Sequence, residues 1–129
     1  MISLEERNAR VVELQKLLDS LLSSPKLPIK YGVPPWKSGV YRILEKDTER
    51  SIYVGKAKEL HEEIYRAILM GRHILKEKLV KRFGLEDREA AKRYLKDQCV
   101  FQYVLIEDES IRTSLEHFAI SILEPKCND

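Results

Sequence analysis

Gly39-Val40-Tyr41-Arg42-Ile43-Leu44-Glu45, then Lys46-Asp47-Thr48-Glu49, then Arg50-Ser51-Ile52-Tyr53-Val54-Gly55 is the stretch that decides the fold of this chain. Both arms are rich in β-branched and aromatic residues, and the charged link between them suits a turn. The pair therefore reads as a β-hairpin with strands over 39–45 and 50–55. With the hairpin symmetric about Asp47, cross-strand partners carry numbers summing to 94. Tyr41 then faces Tyr53 directly, with Cβ atoms about 5 Å apart. Gly55 ends the second arm where a helix begins, a place where backbone amides and the missing side chain let a phosphate approach.

Upstream of the hairpin, residues 23–38 hold Pro25, Pro28, Pro34 and Pro35, which speak against regular structure; this is a lead-in draped over the domain and pinned by Trp36. Before it, Ser3-Leu4-Glu5-Glu6 has the pattern of a capping box, and Leu4, Val11, Leu14, Leu18 and Leu21 recur at helical spacing, predicting a helix over about 3–22. Its Leu-rich stripe serves either to pack on the sheet or to form a homodimer. Downstream, Leu60, Ile64, Ala67 and Ile68 predict a helix from Ala57 to about Met70, interrupted at Gly71. Ile74 to Phe83 forms the next helix, closed by Gly84, and Asp87 to Lys96 a short charged one. Cys99-Val100-Phe101-Gln102-Tyr103-Val104-Leu105-Ile106 is a strand. The last helix is capped by Asp108 or Ser110, presents Ile111, Leu115, Phe118, Ala119 and Ile122, and is stopped by Pro125. The expected fold is α/β in the α+β sense: a small three-stranded, mainly antiparallel sheet flanked by helices, with an N-terminal helical extension. Two segments follow, 1–38 as helix and Pro-rich lead-in and 39–129 as the domain proper.

A chain of 129 residues with 43% hydrophobic and 34% charged residues has room for one core. No apolar run approaches the ~20 residues that cross a bilayer, so no membrane partner is expected. Met1-Ile2-Ser3-Leu4-Glu5-Glu6-Arg7 has no apolar stretch behind its charges, so no secretory signal is expected. Cys99 and Cys127 give neither a disulfide framework nor a zinc spacing with His61, His73 and His117. They read as reduced thiols, which suits a cytoplasmic protein. Net charge is only +2. Its distribution says more: residues 23–82 sum to +7 and residues 99–129 to −4. A basic middle beside an acidic end is the pattern of a phosphate-facing surface next to a cation-binding carboxylate. Lys56, Lys58, Arg66, Arg72, Lys76, Lys78, Lys81 and Arg82 make up the expected polyanion surface.

The two arms carry a pair of motifs, Gly39-Val40-Tyr41 and Tyr53-Val54-Gly55. Lys56-Ala57-Lys58-Glu59-Leu60 follows into a helix, Glu116 lies on the last helix, and Pro125-Lys126-Cys127-Asn128 closes the chain. In this order they resemble the GIY-YIG nuclease family over residues 39–128. The resemblance implies hydrolysis of DNA phosphodiester bonds with one divalent cation, Mg²⁺ or Mn²⁺, held by Glu116. It implies that Tyr41 positions or deprotonates the attacking water, with Lys56 as the cation that lowers its phenol, that Tyr53 assists at the phosphate, and that Asn128 braces the site. Gly39 and Gly55 are then structural. The family's helical arginine is the departure: counting from Gly55, its position falls on Glu63. Arg66, three residues on, or Lys78 and Arg82 in a second layout, are the substitutes available. Two readings follow, a metal-dependent endonuclease with an unusually supplied site, and a catalytically degenerate nucleic-acid-binding or interaction module on the same fold.

Overall fold

The computed structural model describes all residues, 1–129. Helix α1 (Leu4–Ser23) is followed by strands β1 (Leu27–Pro28), β2 (Gly39–Glu45) and β3 (Ser51–Ala57). Then come helices α2 (Glu62–Met70), α3 (Ile74–Phe83) and α4 (Arg88–Gln98), strand β4 (Cys99–Leu105) and helix α5 (Glu109–Leu123). The sheet has four strands in the order β1-β4-β2-β3, each neighbouring pair antiparallel. The additional strand is β1, whose Leu27 and Pro28 pair with Phe101 and Val100. The prolines concealed it. Pro28 cannot donate to a ladder, but an edge position has a free side and an extended backbone that proline favours. No helix is long and apolar enough to cross a membrane.

Apolar residues lie on both faces of the sheet. Tyr41, Ile43, Ile52 and Phe101 bury one face under α2, α3 and α4, with Ile64, Ile68, Leu75, Leu79 and Leu95. Val40 and Val54 bury the other under α1 and α5, with Leu18, Leu21, Leu115 and Ala119. The Leu stripe of α1 thus packs inside the fold along its second half, while Val11 and Val12 nearer its start are 46% exposed. Ser3 caps α1, its hydroxyl accepting from the Glu6 amide at 3.1 Å. Asp108 rather than Ser110 caps α5, accepting from Ile111 at 2.9 Å. A buried polar strip ties α1 to the sheet. Arg42 donates to Gln102 Oε1 at 2.9 Å, and Gln102 donates to the Leu22 and Ser24 carbonyls, each at 2.9 Å. Every hydrogen-bonding group of that amide side chain has a partner, as a fully buried one requires.

The hairpin departs from the expected register. Tyr41 pairs with Gly55 and Ile43 with Tyr53, so partner numbers sum to 96 along this part of the ladder. The cause lies at the tip. The Glu45 amide bonds the Arg50 carbonyl at 3.0 Å, leaving a four-residue loop closed by a pair that sums to 95. Continued inward, an odd sum would place Tyr41 and Tyr53 on opposite faces. Between Leu44↔Ser51 and Ile43↔Tyr53 one extra residue, Ile52, is bulged into β3. It restores the even sum and brings both tyrosines to one face. Ile52 is itself fully buried there.

Strand β3 is an edge, and the chain end covers it. The Lys126 and Cys127 amides bond the Ser51 and Ile52 carbonyls at 3.1 and 2.9 Å. Asn128 completes the row with its side chain, Oδ1 accepting from the Val54 amide at 2.8 Å and Nδ2 donating to the Val54 carbonyl at 2.7 Å. Such cover blunts a strand edge that would otherwise pair with another chain. Asn128→Asp leaves one of the two bonds and aims a carboxylate oxygen at the Val54 carbonyl. It should lower the unfolding free energy by about 1–3 kcal/mol, measured by urea titration. An unchanged midpoint would exclude this bracing role.

Candidate active site

Tyr41 stands on β2 and Tyr53 on β3, their ring centroids 6.2 Å apart as diagonal rather than direct neighbours. Tyr41 is fully buried and its ring lies over Gly55. A Cβ at Gly55 would sit 2.4 Å from the Tyr41 hydroxyl. Gly55 therefore lies within the strand, which runs on to Ala57, and its bare backbone accommodates the tyrosine rather than a phosphate. Gly39 is needed for a different reason, since a Cβ there would meet the Val104 carbonyl oxygen at 2.3 Å.

The Tyr41 hydroxyl donates to Glu63 Oε2 at 2.8 Å. Glu63 comes from α2, which is a π-helix throughout rather than the α-helix its periodicity suggests. Its buried residues, Ile64, Ile68 and Leu69, are four and five apart, a spacing that serves either helix type. The wider turn separates residues three apart, so Glu63 faces the sheet while Arg66 swings to solvent and pairs with Glu62 at 3.5 Å. Gly71 ends the helix, and Lys76 donates to the Leu69 carbonyl at 2.8 Å.

His73, which the sequence reading did not select for the site, completes the surroundings. It caps α3 through Nδ1, accepting from the Leu75 amide at 3.1 Å, and turns Nε2 toward Glu63 Oε2 at 3.8 Å. Its ring meets Tyr53 edge-on at 5.5 Å between centroids. Only the fold could reveal it, because Tyr53 lies on β3, Glu63 on α2 and His73 just ahead of α3.

Glu116 stands on α5, the helix that packs on the Val40 and Val54 face. Its side chain is 19% exposed and lies 3.8 Å from His117 Nε2. Burial first, then the charge of Glu63, the Tyr53 hydroxyl and the charge of Glu116 push the Tyr41 phenol well above its ordinary value. Tyr53 is raised by burial, Glu63 and Glu116 in that order. Burial lowers His73, against the opposing pull of Glu63. The charges of both carboxylates thus act on both phenols and favour their protonated forms. An open groove of about 300 Å³, lined by Lys56, Lys58, Glu59, Glu62, Glu63 and Ala67, leads up to Glu63.

Lys56 lines that groove but turns away from Tyr41, and Lys78 and Arg82 are used elsewhere. Lys56 Nζ donates to Thr113 Oγ1 on α5 at 2.7 Å, and no cation is among the groups that shift Tyr41. Strand alternation puts Lys56 on the face of Val54, opposite Tyr41. Lys78 donates to the Cys127 and Asp129 carbonyls at 3.2 and 2.6 Å. Arg82 holds the Lys126 carbonyl at 2.9 Å and pairs with Asp129. Both side chains thus clamp the chain end against α3, a use no local pattern reveals. Lys76 is 5% exposed and contributes nothing to a surface field. Lys58, Arg72 and Lys81 are exposed, as a polyanion surface requires.

No family model and no curated protein sequence matches the chain. Among solved structures, it is similar to the GIY-YIG N-terminal endonuclease domain of UvrC from Thermotoga maritima bound to its catalytic divalent cation, magnesium. Identity is 25% and the TM-score 0.51, with 89% of this chain and 98% of that one covered. The chain has the GIY-YIG fold. Two point mutants of that UvrC domain, each bound to the catalytic divalent cation, agree at 23% and 22% identity. Each has a TM-score of 0.50 over 91% of this chain and 96% of the other. Within the GIY-YIG fold the hairpin supplies both motif tyrosines to one face. Asn128 bonds the Val54 backbone rather than a site side chain, and Glu63 sets a carboxylate against the Tyr41 hydroxyl.

Proposed function

We propose that the chain is a metal-dependent endonuclease that hydrolyses DNA phosphodiester bonds slowly. What supports this reading is the placement of Tyr41 and Tyr53 on one face, ring centroids 6.2 Å apart, with the charge of Glu116 raising both phenols, in a chain similar to an endonuclease domain bound to its catalytic magnesium. Glu116 would hold a divalent ion, Mg²⁺ or Mn²⁺, with water and substrate phosphate completing its shell. When bound, such an ion stabilises the charge that develops on the leaving oxygen. Tyr53 keeps its proton and serves as a neutral donor to a phosphate oxygen. Tyr41, also protonated, orients the attacking water through its hydroxyl oxygen. Glu63 takes the Tyr41 proton in a hydrogen bond, which leaves the hydroxyl oxygen to accept from that water, but it sets negative charge near the phosphate.

The test is nicking of supercoiled plasmid with Mg²⁺ or Mn²⁺. Glu116→Ala should abolish cleavage, a loss of at least ~10³-fold, while leaving the thermal midpoint within a few degrees. Equal cleavage by Glu116→Ala would rule the reading out. A second reading, a DNA-binding module that has lost catalysis, is favoured by one observation. The side chain hydrogen-bonded to Tyr41 is a carboxylate, Glu63, while Arg66, Lys78 and Arg82 are all engaged elsewhere. No nicking by any variant, with duplex binding that weakens steeply as salt rises, is the result that selects it.

A further inference from the structure

We infer that Trp36 and Tyr31 form a stacking platform for an unpaired nucleobase, so that the chain engages single-stranded or locally melted DNA in preference to intact duplex. DNA as the polymer rests on the function proposed above; the platform rests on its own geometry. Both rings are exposed, Tyr31 by 63% and Trp36 by 54%. They meet edge to face, centroids 6.2 Å apart at 76°, forming a corner with one open indole face. The inner indole face stacks on His61 at 4.1 Å and 15°. Tyr65 backs the corner, 5.5 Å from Tyr31 and 5.4 Å from His61.

This corner is built rather than incidental. His61 is fully buried and accepts the Gly32 amide at Nε2, at 3.0 Å, which leaves the ring proton on Nδ1. That Nδ1 is buried with no partner, so the fold accepts a cost to keep an imidazole beneath Trp36. The loop is held to the start of α2 by the Leu60 amide on the Lys37 carbonyl, at 2.8 Å, and the His61 amide on the Pro35 carbonyl, at 3.0 Å. The indole is thus oriented before any ligand arrives.

Charge selects the occupant. From Ser23 to Leu44 the chain has four basic residues and no Asp or Glu. Lys30 and Lys37 flank the two rings and are exposed. Open aromatic faces among cations are what a strand of bases and phosphates requires, whereas the bases of an intact duplex already stack on one another.

Trp36 is the single tryptophan, so its fluorescence reports on the platform directly. The full chain would be titrated in chelator with a short oligothymidine, an abasic strand of equal length and a duplex. Oligothymidine should quench Trp36 saturably and bind about tenfold more tightly than the abasic strand, in keeping with the usual worth of one stacked base. Tyr31→Ala, and Trp36→Ala read by anisotropy of a labelled strand, should each lose about that factor with the thermal midpoint unchanged. Equal binding of the base-bearing and abasic strands, tighter binding of duplex, or unchanged Trp36 emission would overturn the inference. Quenching that persists in Glu116→Ala while nicking is absent throughout would remove the cleavage reading and keep the platform. Nicking without quenching would remove the platform alone.

Discussion

Glu63→Arg should raise magnesium-dependent nicking about 10²–10³-fold, the usual worth of one preorganised electrostatic group at a developing charge. The substitution removes the carboxylate bound to the Tyr41 hydroxyl and places a guanidinium where the phosphate charge builds up. Glu63→Gln separates the two effects, because it keeps an acceptor for Tyr41 while deleting the repulsion, and its rate should be intermediate. Arg66→Ala and Lys78→Ala should leave nicking unchanged, since Arg66 pairs with Glu62 in solvent and Lys78 is bound to chain-end carbonyls. The account fails if the natural chain cleaves well and Arg66→Ala silences it as completely as Glu116→Ala does. Melting curves of the Glu63 variants guard against a trivial loss of fold, because Tyr41 is buried with its hydroxyl on that carboxylate.

Gly39→Ala should be the most damaging small substitution in the sheet. Its methyl would lie 2.3 Å from the Val104 carbonyl oxygen, which is backbone in the ladder joining β2 to β4. Relief requires the two central strands to part, so the cost belongs at the upper end of overpacking penalties, about 3 kcal/mol. For a chain of this size that is a fall in melting temperature of roughly 10 °C. Gly55→Ala meets a side chain instead, the Tyr41 hydroxyl at 2.4 Å, and that ring can swing aside. It should cost less, about 1–2 kcal/mol. It should still remove nicking, because the displaced Tyr41 hydroxyl no longer orients the attacking water. Calorimetry and plasmid assays on the two variants should therefore rank in opposite ways: Gly39→Ala mainly unstable, Gly55→Ala mainly inactive. A Gly39→Ala chain that melts with the natural one would show that the strands yield more easily than this geometry allows.

The hairpin, the helices and the two motif tyrosines were legible because they rest on short-range periodicity and composition. What was not legible depends on parts of the chain that meet only after folding. The register turned on whether Ile52 would be bulged into the core, which its identity does not announce. The π-helix was hidden because spacings of four and five suit both helix types, and that ambiguity brought Arg66 wrongly into reach of the site. Lys78 and Arg82 read as free cations because the chain end that claims them returns from over forty residues away. Lys56 was adjacent in sequence to the site glycine, yet strand alternation carried it to α5. His73 and the Trp36–His61 stack bring together residues from separate elements, and neither leaves a local trace.

The bulge at Ile52 gives gaps in this hairpin unequal meanings. Beyond the Glu45–Arg50 pair the tip projects from the ladder, so descendants with longer or shorter tips keep the same inner pairs. A single residue lost at 52 leaves length and composition almost untouched, yet it exchanges the two faces of β3. Tyr53 and Gly55 would turn toward α5, while Val54 and Lys56 would turn toward Tyr41. Two relatives that differ by one residue at the tip share a site, and two that differ by one residue at the bulge do not.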